Sequence, residues 1–247
     1  MDIIQIITRE LKVEKWQVEA AVKLIDEGCT IPFISRYRKE ATGSLNDEQL
    51  RTLHERLTYL RNLEDKKNQV LGSIEEQGKL TPELKKQILD AQTLVVVEDL
   101  YRPYRPKRRT RAIIAKEKGL EPLANIIMLQ MTNKSLEEEA KAFLSEEKGV
   151  ETIEDAINGA KDIIAEHISD EADYRIYLRK LTMDKGTVVS AAKNPEESSV
   201  YEMYYEFEEP IKKLAGHRVL ALNRGEKEKM LTVKISAPED EAMGWLQ

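Results

Sequence analysis

Apolar residues recur at helical spacing through most of the chain. Ile3, Ile4, Ile7 and Leu11 mark a short amphipathic helix, and Val18, Ala21, Val22 and Ile25 fall at i, i+3, i+4 and i+7 before Gly28. Asn46 and Gln49 are spaced as a capping box, the Asn oxygen taking the N3 amide while the Gln side chain reaches back. The helix they start carries Leu50, Leu53, Leu57 and Leu60 in register and is predicted to reach Gln77, with Gly78 closing it. Thr81-Pro82 predicts another start: a hydroxyl N-cap, then proline where its missing N–H is harmless. Leu84, Ile88 and Leu94 give that region its apolar side. Residues 95–97 are all valine and suit a strand, but no turn signal separates them from Leu100, so a buried helix is predicted.

Pro103 and Pro106 interrupt this pattern and open an extended segment. A helix over 109–118 is expected to stop at Gly119, Pro122 to start another through 131, and Ser135 with Glu138 to cap a third reaching about 145. Ile153, Ile157, Ala160, Ile164 and Ile168 form a longer stripe. Gly159 inside it costs about 1 kcal/mol relative to Ala, which points to close helix packing there. Tyr174, Tyr177, Leu178 and Leu181 make the next stripe; Val200, Met203, Tyr204 and Phe207 make the last helical one before Pro210. The tail changes period. Residues 219–222 and 231–235 flank Asn223-Arg224-Gly225-Glu226, and the second run alternates apolar and polar, so a β-hairpin is predicted over 218–235. A lone hairpin is marginal and needs a surface to pack on.

Composition agrees with a mainly α, multi-helix chain. Only 6% of the 247 residues are aromatic while 34% are charged, and 11 Gly and 8 Pro are few for an all-β fold of this length. The length allows one or two domains. Cys29 is the single cysteine, which excludes an intrachain disulfide and a cysteine-based zinc site. No apolar run approaches the 20 or so residues of a membrane span, so a cytoplasmic protein without membrane contact is expected. Catalytic signatures are missing. His54-Glu55 begins like a zinc-protease motif, but Thr58 stands where the second histidine belongs; Gly72 with Gly78-Lys79 is misspaced for a phosphate loop. The expectation is a non-enzymatic protein that uses no metal and no cofactor.

Charge is unevenly distributed. The total is −6, yet residues 102–118 hold eight basic side chains against one acid, Glu117. Arg102, Arg105, Lys107, Arg108, Arg109, Arg111 and Lys116 are the candidate nucleic-acid-binding residues: they suit phosphates, and the interleaved Tyr101 and Tyr104 suit unpaired bases. The competing reading is a basic connector docked on the protein's own acidic helices. Arg36-Tyr37-Arg38-Lys39 reads as a solvated helix end, with an extension of the basic surface as its alternative. Tyr201, Tyr204, Tyr205 and Phe207 sit among glutamates that repel phosphate, so they are assigned to core and interface.

Three stretches carry a family resemblance: Ile31-Pro32-Phe33-Ile34-Ser35-Arg36-Tyr37-Arg38-Lys39-Glu40 with Ala41-Thr42-Gly43; the run from Glu98-Asp99-Leu100-Tyr101 through Lys107-Arg108-Arg109-Thr110-Arg111-Ala112 to Gly119-Leu120-Glu121-Pro122; and Glu209-Pro210-Ile211 with residues 217–226. They resemble the Tex-like family of bacterial transcription accessory proteins, over nearly the whole chain to about Pro238. The resemblance implies a transcription-associated protein that binds RNA or DNA, with RNA polymerase or its complex as a further partner. It also implies a helical N-terminal region, 1–73 plus 132–217, interrupted by a basic helix-turn-helix-like module at about 74–131. Residues 218–247 would lead into downstream family domains (nuclease-like, helix-hairpin-helix and RNA-binding) that do not fit in this chain and would be further partners. The alternative within this reading is a protein–protein scaffold with no nucleic-acid contact.

Overall fold

Side-chain caps set many of the helix starts. The computed structural model describes residues 2–246. Asn46 and Gln49 form the reciprocal box at 2.8 and 3.0 Å, and Thr81 Oγ1 accepts the Leu84 amide at 3.2 Å. Ser135 and Glu138 pair likewise at 3.2 and 3.3 Å. Each cap takes up amides that have no partner inside the helix. Chain contacts divide the molecule into two compact units, Met1–Tyr104 and Arg105–Gln247.

In the first unit, α1 (Ile3–Leu11), α2 (Lys15–Asp26), α3 (Ile31–Tyr37), α5 (Pro82–Asp90) and α6 (Leu94–Tyr101) all pack on the long α4 (Asp47–Glu76). The leucine row of α4 continues through Leu63, Val70 and Ile74, all buried, and meets Ile7, Val18, Ala21 and Ile34 in the core of this unit. The valines at 95–97 are helical, as expected. Proline gives a tighter turn than the extended segment expected after it: Arg102–Tyr104 is one 3₁₀ turn. Gln77 Nε2 holds it by donating to Tyr104 O at 2.9 Å.

In the second unit, α10 (Ile153–Asp170) is covered by α7 (Arg111–Glu117), α8 (Glu121–Leu129), α9 (Leu136–Lys141) and α11 (Ala172–Lys185). Gly159 lets Leu120 and Ala115 approach: a Cβ there would lie 2.3 Å from Leu120 Cδ1. A second core lies under a three-stranded antiparallel sheet, β1 (Thr187–Ala192), β2 (Glu206–Pro210) and β3 (Leu231–Ser236), in the order β2-β1-β3. A last helix, Glu239–Leu246, follows β3.

Two expectations are corrected here. The 218–235 hairpin is not formed. Its first half is the helix α12 (Gly216–Lys227), and β3 pairs instead with β1, Val188 opposite Ile235 and Ala192 opposite Leu231. Gly225, read as turn chemistry, is a packing residue. A Cβ on it would lie 2.6 Å from Leu231 Cδ1, so the glycine lets β3 close on the helix. The turn itself uses Lys229, at φ +63°. The helical stripe from Val200 to Phe207 is also not a helix: Glu202–Tyr204 is a single 3₁₀ turn, and Phe207 lies on edge strand β2. Tyr201 and Tyr204 are buried in the core, as assigned.

Candidate nucleic-acid interface

The predicted basic residues divide by environment. Arg102 is exposed on the 3₁₀ turn of the first unit. The other six lie in the second unit, on the irregular run 105–109 and on α7. Thr110 fixes where that run ends. Its Oγ1 caps α7 by accepting the Ile113 amide at 3.1 Å and donates to Glu166 Oε1 at 2.9 Å.

Lys107 turns inward. Its ammonium pairs with Asp170 and lies 3.4 Å from Glu166 Oε2, and all three side chains are largely withdrawn from water. Arg111 Nη2 stands 3.4 Å from Asp162 Oδ1. Asp162, Glu166 and Asp170 are four residues apart, so they form one acidic row along α10 that runs beside its buried Ile163, and Asp170 is itself buried. The self-docked reading therefore describes Lys107 and touches Arg111. In the sequence the row is an i, i+4, i+8 repeat of acids, a polar period that the apolar stripe of the same helix does not reveal.

The remaining cations face solvent. Arg109 meets Glu117 at 2.9 Å and Lys116 meets Glu121 at 3.3 Å, through side chains that stay well exposed. Such exposed pairs are worth about 0–1 kcal/mol and exchange readily for another anion. Arg111 keeps 87% of its side-chain exposure despite Asp162. Arg105 and Arg108 are exposed, and among the described residues neither has an acidic partner within 4.0 Å. The result is a short loop anchored by one inward lysine, presenting arginines on its outer side. The prolines and the Thr110 cap restrict that loop, which lowers the entropy lost when a ligand is bound.

Comparison with known proteins places the chain. Residues 1–75 match the Tex-like protein N-terminal domain, and residues 132–244 match the Tex central region. An uncharacterized protein of Bacillus subtilis, YdcI, is 49% identical over 246 residues, 98% of this chain and 34% of that protein. The transcriptional accessory protein Tex of Neisseria gonorrhoeae is 40% identical over 243 residues, 98% of this chain and 32% of its own length. The human S1 RNA-binding domain-containing protein 1 is 29% identical over 256 residues, 99% of this chain and 25% of that protein. The chain thus spans about a third of the length of its bacterial relatives. No helix among the described residues is long and apolar enough to cross a membrane. By its N-terminal and central regions, the chain belongs to the Tex-like family.

Proposed function

We propose that this chain is a non-catalytic, nucleic-acid-contacting part of a transcription accessory protein, and that the outer face of the 105–116 segment makes the contact. The observation that carries it is the pair Arg105 and Arg108, exposed beside Arg109 and with no acid of their own among the described residues. Lys107 serves as the anchor that holds the loop rather than as a phosphate ligand. The family names support the same direction, since one relative is named for transcription and another for an RNA-binding domain.

The test separates anchor from contact. Arg105→Ala, Arg108→Ala and Arg109→Ala together should weaken binding of RNA and DNA oligonucleotides by roughly tenfold or more at moderate salt, with the melting temperature unchanged. Lys107→Ala removes the cation between two shielded carboxylates. It should cost about 1–2 kcal/mol, a melting shift of a few degrees, with little direct effect on affinity. Unchanged titrations with the triple variant would remove this assignment.

A second reading has its own observation. Met131, Val200, Met203 and Leu220 are apolar and between 72% and 86% exposed. Scattered apolar side chains are ordinary, but Val200 and Leu220 line one shared surface cavity, and an apolar surface of that kind favours protein contact. A protein scaffold without nucleic-acid contact predicts polymerase co-purification that survives the arginine substitutions and is lost when these residues are made polar.

A further inference from the structure

Several cations of the first unit have no acidic partner among the described residues, and three of these stand together at the end of α3. Arg51, Arg56 and Arg61 of α4 each close on a carboxylate, Asp47 and Glu10 at 2.6 Å and Asp26 at 2.7 Å. Arg36, Arg38 and Lys39, at the end of α3, do not. All three are exposed, and among the described residues none has an acidic partner within 4.0 Å. They flank Tyr37, which is 67% exposed and whose hydroxyl has no hydrogen-bond partner among the described residues. Phe33 lies beside it, ring centroids 5.4 Å apart, and the Arg38 guanidinium sits 5.3 Å from the Phe33 centroid.

This group is held firmly. Ile34 is fully buried beneath it. Thr42 Oγ1 and N both reach Arg38 O, at 3.2 and 3.1 Å, and the Ser44 amide donates to Lys39 O at 2.8 Å. Gln17 Nε2 donates to Gly43 O at 2.9 Å and ties the loop to α2. Residues 36–41 line a shallow cavity of about 320 Å³.

We propose that this segment is a contact for single-stranded nucleic acid: Tyr37 stacks on one base, and Arg36, Arg38 and Lys39 take the neighbouring phosphates. Each feature bears on the choice of ligand. Unpaired cations alone would suit any polyanion, an acidic peptide included. An aromatic face exposed among them adds affinity only for a ligand that carries flat rings between its charges. In a duplex the base faces are covered by their neighbours, so Tyr37 has nothing to stack on there. Glu40 lines the same cavity and opposes a phosphate, which limits the affinity and gives a substitution that should raise it. The proposal extends the nucleic-acid reading above from charge contact to base contact. It rests on different residues, so the two assignments can fail separately.

The test is fluorescence anisotropy on the whole chain with 12-nucleotide oligo-U and oligo-dT and a duplex of equal length. Tyr37→Ala should weaken single-strand binding about 5- to 100-fold and leave duplex binding unchanged, while Tyr37→Trp should retain the affinity. Arg36→Ala, Arg38→Ala and Lys39→Ala together should make the log–log salt slope shallower by about 2. Glu40→Gln should tighten binding several-fold. Photocrosslinking of a 5-iodouridine oligonucleotide to the unmodified protein should map to the peptide holding residues 36–39, a readout that no folding defect can mimic. The proposal is overturned if Tyr37→Ala and the triple variant bind like the parent, even when the Arg105, Arg108 and Arg109 variant loses binding. Equal losses for single strand and duplex, tighter binding of poly-glutamate than of oligo-U, or a crosslink elsewhere only would overturn it too. If the parent chain binds none of the oligonucleotides, this proposal and the 105–116 assignment fall together.

Discussion

Gly43 sits at φ +61°, and a Cβ on it would lie 2.5 Å from both the Trp16 ring and the Gln17 amide. An L-residue pays about 1 kcal/mol or more to hold that backbone, and the indole must also move. Gly43→Ala should therefore lower stability by about 1–3 kcal/mol, read as a shifted urea midpoint with an unchanged slope. Lys67 is a different single-residue device. It is 1% exposed on the buried face of α4, and its ammonium donates to Leu89 O at 2.7 Å in the last turn of α5. A cation there satisfies a carbonyl that the helix leaves without a partner and offsets the negative end of the helix dipole. Lys67→Met keeps the stem and removes the donor, so it should cost about 1–3 kcal/mol. Gly159→Ala tests whether packing outweighs propensity. Alanine gains about 1 kcal/mol as a helix former, but its Cβ would press on Leu120, which is 1% exposed. Overpacking costs about 1–3 kcal/mol, so a net loss near 1 kcal/mol is expected in chemical denaturation.

Among the elements, α1 and α2 are fixed to α4 by apolar contact and by two two-pronged ion pairs. Arg56 reaches both oxygens of Glu10 at 2.6 and 2.7 Å, and Arg61 reaches both of Asp26 at 2.7 and 2.9 Å. Hydrogen bonding from each guanidinium holds its carboxyl below the ordinary range, against a smaller opposing effect of desolvation. A carboxyl with a lowered folded pKa adds stability that is present above its unfolded value, about 4 for these groups, and lost as pH falls through the folded one. The side chains are 34–48% exposed, so each pair is worth only a few tenths of a kcal/mol. The drop in urea midpoint from pH 7 to pH 3 should be smaller in Arg56→Ala with Arg61→Ala than in the parent. The helices that carry these pairs were legible because their signals are local: a 3.6-residue stripe and a cap specify a helix without reference to anything distant. The sheet was not, because its signals are tertiary. The buried positions of β1 include Val188 and Ser190, and the serine hydroxyl donates to Tyr204 O at 2.6 Å, so a polar residue stands where alternation calls for an apolar one. Residues 219–222 fit helix and strand equally. Gly225 tipped the reading toward a turn, although its need is space for Leu231. The basic segment was legible as charge, but not which of its cations point inward. That depends on the acidic row of α10, more than 50 residues away in sequence.

At the scale of the whole molecule, a chain of net charge −6 presents its basic segment against an acidic remainder. Local attraction and global repulsion have different ranges, and salt tunes between them. At 0.1 M the Debye length is about 10 Å, so a bound strand senses the few cations it touches and little else. At 0.01 M it is about 30 Å, comparable with a small domain, and the acidic remainder then acts on the same strand. On the proposed assignment, Arg105, Arg108, Arg109, Arg111 and Lys116 would offer about five phosphate contacts to a single strand. Neutralising all five should reduce the log–log salt slope by about 3.5 between roughly 50 and 200 mM. Below about 20 mM the parent's affinity should stop rising and level off, because lowering the salt further strengthens repulsion along with attraction. A protein basic over its whole surface has no such opposing field and keeps climbing. Anisotropy titrations from 10 to 300 mM NaCl distinguish the cases. A line that stays straight to the lowest salt would mean that the acidic charge lies too far from the bound strand to act on it.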